Sequence, residues 1–362
     1  MVGTTHGPAS ADRSLSLKKI ADELLSDEAG DDRLAAAAAG LYALCSSIAG
    51  IDEDSGHAGD SDGTRLPSGE ALSPRDAARC VLDFRRTSRF LRGLQAAILE
   101  ARARFPDGAT EILYAGCGPF APLALPLTTR FSPAEIRFTL LDAHERSLDA
   151  ARLIFQALGK GAFVRDYVRC DAASYEHDAP HALHLVVVEA MQAALEKEPQ
   201  VAITMNLAPQ LRPGGTFIPE RITVDCCLCD PAREFPAPPA GAGAADSLPP
   251  GAGGRARVHL GRVLDLTARG FRGLPASGGG DEQHGSSAGP KLLLRVPGEL
   301  DGEFGLMLLT SITVFDCIAL DEGESGLTCP RILYDAGTMR GGETMEFEYR
   351  LGDEPGFRYR PL

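Results

Sequence analysis

Glu189 and Glu198 stand nine residues apart. The first ends an apolar, β-branched run, Leu185-Val186-Val187-Val188, which predicts a buried parallel strand. The second follows a short helix-like stretch. Open α/β sheets bind ligands beyond the C-terminal ends of their strands, so this arrangement aims both carboxylates into one pocket. Two convergent carboxylates suit a planar cation with many donors, and a guanidinium matches best. Two plainer readings stand beside this one. Glu198 could belong to a charged solvent face with Glu196 and Lys197, and Glu189 could be a structural strand-end acid.

The elements that must position these acids alternate. Residues 1–17 are expected to be disordered, and 18–50 carry helical patterning through Leu24, Leu25 and an alanine run from Leu34 to Leu44. Residues 51–71, rich in Gly, Asp and Ser, read as a loop or linker. A helix is expected from Ser73 (N-cap) and Pro74 through Leu82, Phe84 and Phe90 to about Arg104. Strands follow at 111–118, 137–142, 163–171 and 183–188, separated by turn and helix signals. From Thr216 to Asp230 the style changes to strands without intervening helices. This order predicts an α/β fold: a doubly wound parallel sheet, then an antiparallel β domain, with a helical N-terminal segment. The Gly/Pro/Ser-rich stretches 236–256 and 274–290 read as flexible insertions.

A glycine turn follows the first strand of this series. Gly116, Cys117 and Gly118 let the backbone turn sharply and approach a ligand closely. The run Gly116–Ala121 also fits the G-x-G-x-x-A dinucleotide pattern. Asp142 ends the next strand, 26 residues past Gly116, and can accept both hydroxyls of a ribose. Asp171 ends the third strand and can accept from an adenine amino group. Pro119 supplies no N–H where a pyrophosphate cradle needs one. S-adenosylmethionine (SAM), which has no pyrophosphate, is therefore the expected cofactor, with a nicotinamide dinucleotide as the distant alternative. Simpler roles stay open: Asp142 as a helix cap, Asp171 as a turn residue, Met191 as packing.

Ile112–Gly118, Asp142, Val188–Glu198 and Leu211–Arg221 together resemble the class I methyltransferase core of protein arginine methyltransferases. In that family two glutamates nine residues apart form a "double-E" loop that grips the substrate guanidinium. The spacing, Met191 two residues after the first Glu, and the L-x-P-G-G-x-x-x-P run from Leu211 all match. Val81–Thr87 is similar to the helix that closes over SAM, which implies that Arg86 binds the SAM carboxylate; Arg85 and Arg89 are alternatives. The resemblance is specific over roughly 78–222 and topological beyond. It implies a partly helical segment over 1–72, a Rossmann-like methyltransferase domain over 73–219 and a β-barrel-like substrate and dimerisation domain over 220–362. It further implies Glu189 and Glu198 as catalytic residues that also contact substrate, with Met191. Gly116, Cys117, Gly118, Asp142, Ala143, Asp171, Ala172 and Arg86 would bind cofactor, and a homodimer is implied. The family's dimerisation arm would fall in 236–256 or 274–290, whose Gly/Pro composition argues against a helical arm.

The chain departs from that family where a peptide would bind. It has no tryptophan, and so lacks the Thr-His-Trp loop; the nearest segment is Leu309–Phe315. Ala190 and Gln192 stand where the family carries a bulky aromatic and a glycine. Aromatic content is 6%. A small guanidino molecule, chiefly free L-arginine in a biosynthetic pathway, is therefore favoured over a protein substrate. A non-catalytic SAM-binding regulator is the reading from another class, against which the intact glutamate spacing argues.

The remaining composition sets outer bounds. A net charge of −14 disfavours nucleic-acid binding, which needs a basic face. No apolar run reaches the ~20 residues of a membrane span, and no signal pattern opens the chain, so a soluble cytoplasmic protein is expected. Nine scattered cysteines fit reduced thiols. Neither Cys226, Cys227 and Cys229 nor His177, His181 and His184 complete a metal-ligand spacing, and no metal is expected.

Overall fold

The computed structural model describes residues 8–52, 60–177, 181–234, 257–272, 291–300 and 302–362. Two helices open it, α1 (Pro8–Leu24) and α2 (Asp31–Ala49). The disorder expected through residue 17 is thus corrected from Pro8 onward. Leu17, Ala21 and Leu24 form a fully buried stripe against α2, and burying that face offsets the cost of ordering the segment. α2 ends at Gly50 in a left-handed cap.

The segment read as a linker holds a hairpin, β1 (Thr64–Leu66) and β2 (Gly69–Ala71). The helix expected from Pro74 starts there, with the Ser73 side chain accepting from Asp76 N, but it does not run unbroken. α3 (Pro74–Arg79) passes into a 3₁₀ turn, and α4 (Phe84–Arg104) begins afresh. The break falls at Asp83, whose carboxylate accepts from Arg86 N; capping a new helix competes with continuing the old one.

Five parallel strands follow: β3 (Thr110–Ala115), β4 (Ile136–Asp142), β5 (Val164–Arg169), β6 (Leu183–Val188) and β7 (Leu211–Ile218), with α5 (Glu145–Ala157) and α6 (Gln200–Leu207) between them. Their order is β5-β4-β3-β6-β7, all neighbours parallel. β3 and β6 are buried along their whole length. Their residues alternate between two apolar layers: Ile112 and Tyr114 face one, Leu113 and Ala115 the other. The order reverses between β3 and β6, which makes their C-terminal ends a topological switch point.

The change of style expected from Thr216 comes slightly later, since Thr216–Ile218 still pair in the parallel sheet. β7 completes the parallel sheet, and β8 (Arg221–Cys229) starts after Pro219 and Glu220. Proline has no N–H for a ladder, so the sheet stops there. After a single turn of helix, α7 (Pro231–Glu234), come β9 (Val258–Thr267), β10 (Gly270–Arg272), β11 (Leu292–Arg295), β12 (Gly305–Phe315), β13 (Ile318–Leu320), β14 (Arg331–Ile332), β15 (Thr344–Arg350) and β16 (Gly356–Pro361). They pair as two antiparallel sheets. One is β10-β9-β8-β12-β13 with β14 also on β12; the other is β11-β15-β16. Among the described residues these sheets are not hydrogen-bonded into a closed barrel, although their inner faces share one core through Leu264, Leu306, Met345 and Phe347. The stretches 236–256 and 274–290 lie outside the described residues. Among the described residues no helix is long and apolar enough to cross a membrane.

The two halves meet where α4 lies on β12. Gly93 makes that contact possible: a Cβ there would sit 2.5 Å from Val314 Cγ1. Gly93→Ala should therefore destabilise the protein by about 1–3 kcal/mol, as overpacking does. Val314→Ala in the same background should restore most of it. Urea denaturation of the two single variants and the double variant measures this. Additive losses would show that the two residues are not in contact.

Candidate active site

The switch point is lined by residues from several elements and the loops that join them. Ala115 of β3 pairs with Val188 of β6, so the loops that leave these strands start side by side. Gly116 adopts φ +74, and a Cβ there would lie 3.0 Å from the Glu189 carbonyl oxygen. Glycine is needed for both reasons. The cavity between these loops is lined by Gly116, Cys117, Gly118, Asp142, Ala143, Asp171 and Ala172 at one end, and by Arg86, Glu189 and Glu198 at the other. All of these sequence-predicted residues are thus brought together. Met191 is buried and faces the adjoining chamber beyond Glu198.

The glycine-turn end of the cavity is held by the two strand-end acids. Asp142 accepts from Gly118 N at 2.8 Å and from His144 N at 2.9 Å, which ties the glycine loop to the start of α5. Asp171 accepts from Ala173 N and from the Ser68 hydroxyl. Each carboxylate has about four lone-pair sites, so both keep acceptor capacity toward the cavity. Cys117 and Tyr114 sit in the wall; burial raises both well above their ordinary pKa values, so both are neutral.

The acidic end is more unusual. Glu189 Oε2 is ion-paired with the Arg86 guanidinium, and Glu189 Oε1 is buried without a hydrogen-bond partner. Glu198 is 5% exposed; the Gln192 amide bonds its carboxyl, and its Oε1 is likewise buried without a partner. Burial pushes the Glu198 pKa up to about 7, against the opposing pull of Arg86. Of the three candidate arginines, Arg86 alone lines this cavity; Arg85 pairs with Asp31, and Arg89 lies 3.8 Å from Glu324.

Glu198 reaches the cavity from a strained loop. Instead of the helix-like stretch expected there, a single 3₁₀ turn spans Ala193–Leu195, and Ala194, Leu195 and Lys197 all have positive φ. Such conformations cost of order 1–3 kcal/mol each and persist only where the surroundings over-determine them. Here they do. Ala194 N donates to Thr310 Oγ1, the buried Tyr349 hydroxyl donates to Leu195 O at 2.6 Å, and Lys197 N donates to Pro355 O. Lys197 O accepts from Glu70 N of the hairpin.

Several of these residues carried no sequence signal. Thr310 and Tyr349 lie more than a hundred residues from the loop they hold. Asp83 is another: beside capping α4, it accepts from the Ser325 hydroxyl and Gly326 N, joining the antiparallel half to the helix that carries Arg86. The hairpin roofs the cavity with Leu66 and Glu70, and its Thr64 hydroxyl lies 3.0 Å from His144 Nε2. Among the described residues no cluster of metal-ligating side chains is present. Cys226, Cys227 and Cys229 lie buried in β8, where burial raises their thiols above the ordinary range.

No protein-family model and no curated protein matches this chain. Among solved structures it is similar to the Trypanosoma brucei PRMT1 enzyme–prozyme heterotetrameric complex with AdoHcy. Identity is 13% and the TM-score 0.45, over 75% of this chain and 86% of that one. The functional reading therefore rests on the cavity itself.

Glu198 has a consequence for stability. Its folded pKa of about 7 lies above the ordinary 4.5, so the folded state holds a proton that the unfolded state has released. Stability from this group is complete below about pH 4.5 and is lost as pH rises through 7. Glu198→Gln should leave stability unchanged near pH 4.5 and raise it by about 3 kcal/mol above neutrality. Denaturant titrations at both pH values would show this; an equal effect at both would mean that Glu198 is ionised throughout.

Proposed function

We propose that this chain is a SAM-dependent N-methyltransferase acting on a guanidino nitrogen, with free L-arginine or a close small-molecule relative as substrate. One observation carries the reading: two carboxylates, each with a buried oxygen lacking a partner, face one cavity that runs back to a glycine turn and two strand-end acids. Buried polar atoms are nearly always paired, and such exceptions ask for a ligand. Arg86 supplies the chemical precedent, since a guanidinium already rests on Glu189.

The residues at the other end fit SAM. Asp142 and Asp171 offer carboxylate acceptors for a ribose and an adenine amino group, and Tyr114, Leu141 and Ile203 supply apolar walls. Arg86 is a donor for the amino-acid carboxylate. SAM, when bound, supplies a methyl group on a sulfonium leaving group.

A guanidinium is a poor nucleophile, because its lone pairs are delocalised and it stays protonated. It must also approach a second cation. Glu189 and Glu198 offset that repulsion and fix the plane of the group, so positioning and electrostatic stabilisation act together. Glu198 is the base: as the N–C bond forms and the C–S bond breaks, the proton leaves the attacking nitrogen for its carboxylate. A base with a pKa near 7 suits that transfer at neutral pH. Glu189, held by Arg86, orients the substrate.

A mass-spectrometric assay with SAM tests this, offering free L-arginine and an Arg/Gly-rich peptide in parallel. A gain of one methylene mass on arginine alone is expected, with fragmentation identifying the nitrogen. Methylation of the peptide alone would make this a protein-modifying enzyme. SAM binding without methylation of either would leave a SAM-binding protein with another role. Glu189→Gln should abolish turnover with SAM binding retained; survival of more than about a tenth of wild-type turnover would overturn its assigned role.

A further inference from the structure

A second chamber opens beyond Glu198. It shares Leu72, Cys80, Arg86 and Glu198 with the cofactor cavity and continues outward past Met191 and Gln192 to Glu196, Gly326 and Arg331. The guanidinium site is thus its inner end. Its outer wall carries one ion pair, Arg331 Nε to Glu196 Oε2 at 3.2 Å, with the side chains 55% and 26% exposed. Lys197 adds a further positive group to the same wall.

We propose that Arg331 and Glu196 form a subsite that reads the α-carboxylate and α-ammonium of a free amino acid, so that the substrate is a guanidino amino acid rather than a guanidino group on a peptide. This rests on the reading that Glu189 and Glu198 hold the guanidinium. Chain geometry supports the spacing. Glu196 and Glu198 are two residues apart, so their Cα atoms lie within about 7 Å. They are drawn together further, since Glu198 N donates to Glu196 O at 2.7 Å. In arginine the α-carbon is five bonds from the guanidinium carbon, a reach of about 6 Å. A guanidinium on Glu198 whose chain runs outward therefore brings its α-carbon beside the ion pair.

Charge complementarity selects among possible substrates. A zwitterion can replace the Arg331–Glu196 contact with two equivalent ones: its carboxylate on the planar guanidinium fork, its ammonium on Glu196. Agmatine has only the ammonium. A peptide arginine has neither charge and would have to disrupt the pair, or avoid it, with nothing in exchange. Arg331 also stands on a two-residue edge strand, β14, whose pairing with β12 is through backbone, so its side chain is not required for the ladder.

Steady-state kinetics with L-arginine, agmatine and N-acetyl-L-arginine amide test this on the full-length protein. In the wild type, KM should be lowest for L-arginine and at least about tenfold higher for the other two. Arg331→Gln should raise KM for L-arginine about 10–100-fold with kcat little changed, bringing it to the level of agmatine, whose own KM moves less than twofold. Arg331→Lys, which keeps the charge without the fork, should recover part of the loss. Equal KM values for the three substrates in the wild type, or an equal rise for all of them in Arg331→Gln, would overturn the subsite and leave the guanidine methyltransferase reading standing. Failure of every guanidine to react, with SAM still bound, would overturn that reading and the subsite with it.

Discussion

The rest of the site depends on keeping two carboxylates in one buried cavity with a single internal cation. Burying an ionised acid is costly unless it is paired and hydrogen-bonded. Arg86 satisfies one oxygen of Glu189, and one oxygen on each acid has no partner. Glu198 answers part of the cost by holding its proton to about pH 7. The protein thus folds around a site with unpartnered buried acceptors, which under the proposed function a substrate cation would complete. Replacing a buried charged group by a hydrophobic one of similar volume is often neutral or favourable for a fold, which supports the chemical role proposed for the acids.

That cost is spread over the whole molecule. Glu189 is placed by the end of β6, a fully buried strand paired on both sides. Glu198 has no such support, and its loop needs three non-glycine residues at positive φ. Thr310 on β12, Tyr349 on β15 and Pro355 hold the loop from one side, and Glu70 of the hairpin from the other. The antiparallel half therefore shapes the site without lining the cavity of the switch point: it fixes the backbone that carries the second acid. Asp83 does the same for the cation, since its bonds to Ser325 and Gly326 tie the start of α4, and with it Arg86, to that half.

Legibility in the sequence followed the range of the interactions. β3, β4 and β6 were visible as apolar runs, because a strand buried on both faces has no polar alternation to confuse. Gly116, Asp142 and Glu189 were visible because each sits at the end of such a run, where the fold dictates what a residue can reach. The hairpin from Thr64 to Ala71 was not: three-residue strands carry too little pattern, and its polar composition reads as linker. The helix break at Asp83 was hidden because an N-cap and an ordinary polar helix residue look alike until the carboxylate's partners are known. The start of the antiparallel half was read too early, at Thr216, because the polar first part of β7, Leu211–Gly215, carries no strand pattern. Nothing local marks Thr310 or Tyr349 as supports for a loop over a hundred residues away, since that role exists only once both sheets are folded.

The division of labour between the acids follows from their surroundings. A guanidinium does not give up a proton before it reacts, because its pKa is far above neutrality. The proton becomes acidic only as the new bond draws electron density from the nitrogen, so the base must be beside it at that moment. An acid with an ordinary carboxylate pKa would accept it weakly. Glu198, whose burial pushes its pKa up to about 7 against the pull of Arg86 and the Gln192 amide, is the base in the proposed reaction. Glu189 is ion-paired to Arg86 and suited to steady electrostatic work. Under the proposed function the two carboxylates take different roles, since burial raises the Glu198 pKa while Glu189 is held in an ion pair with Arg86.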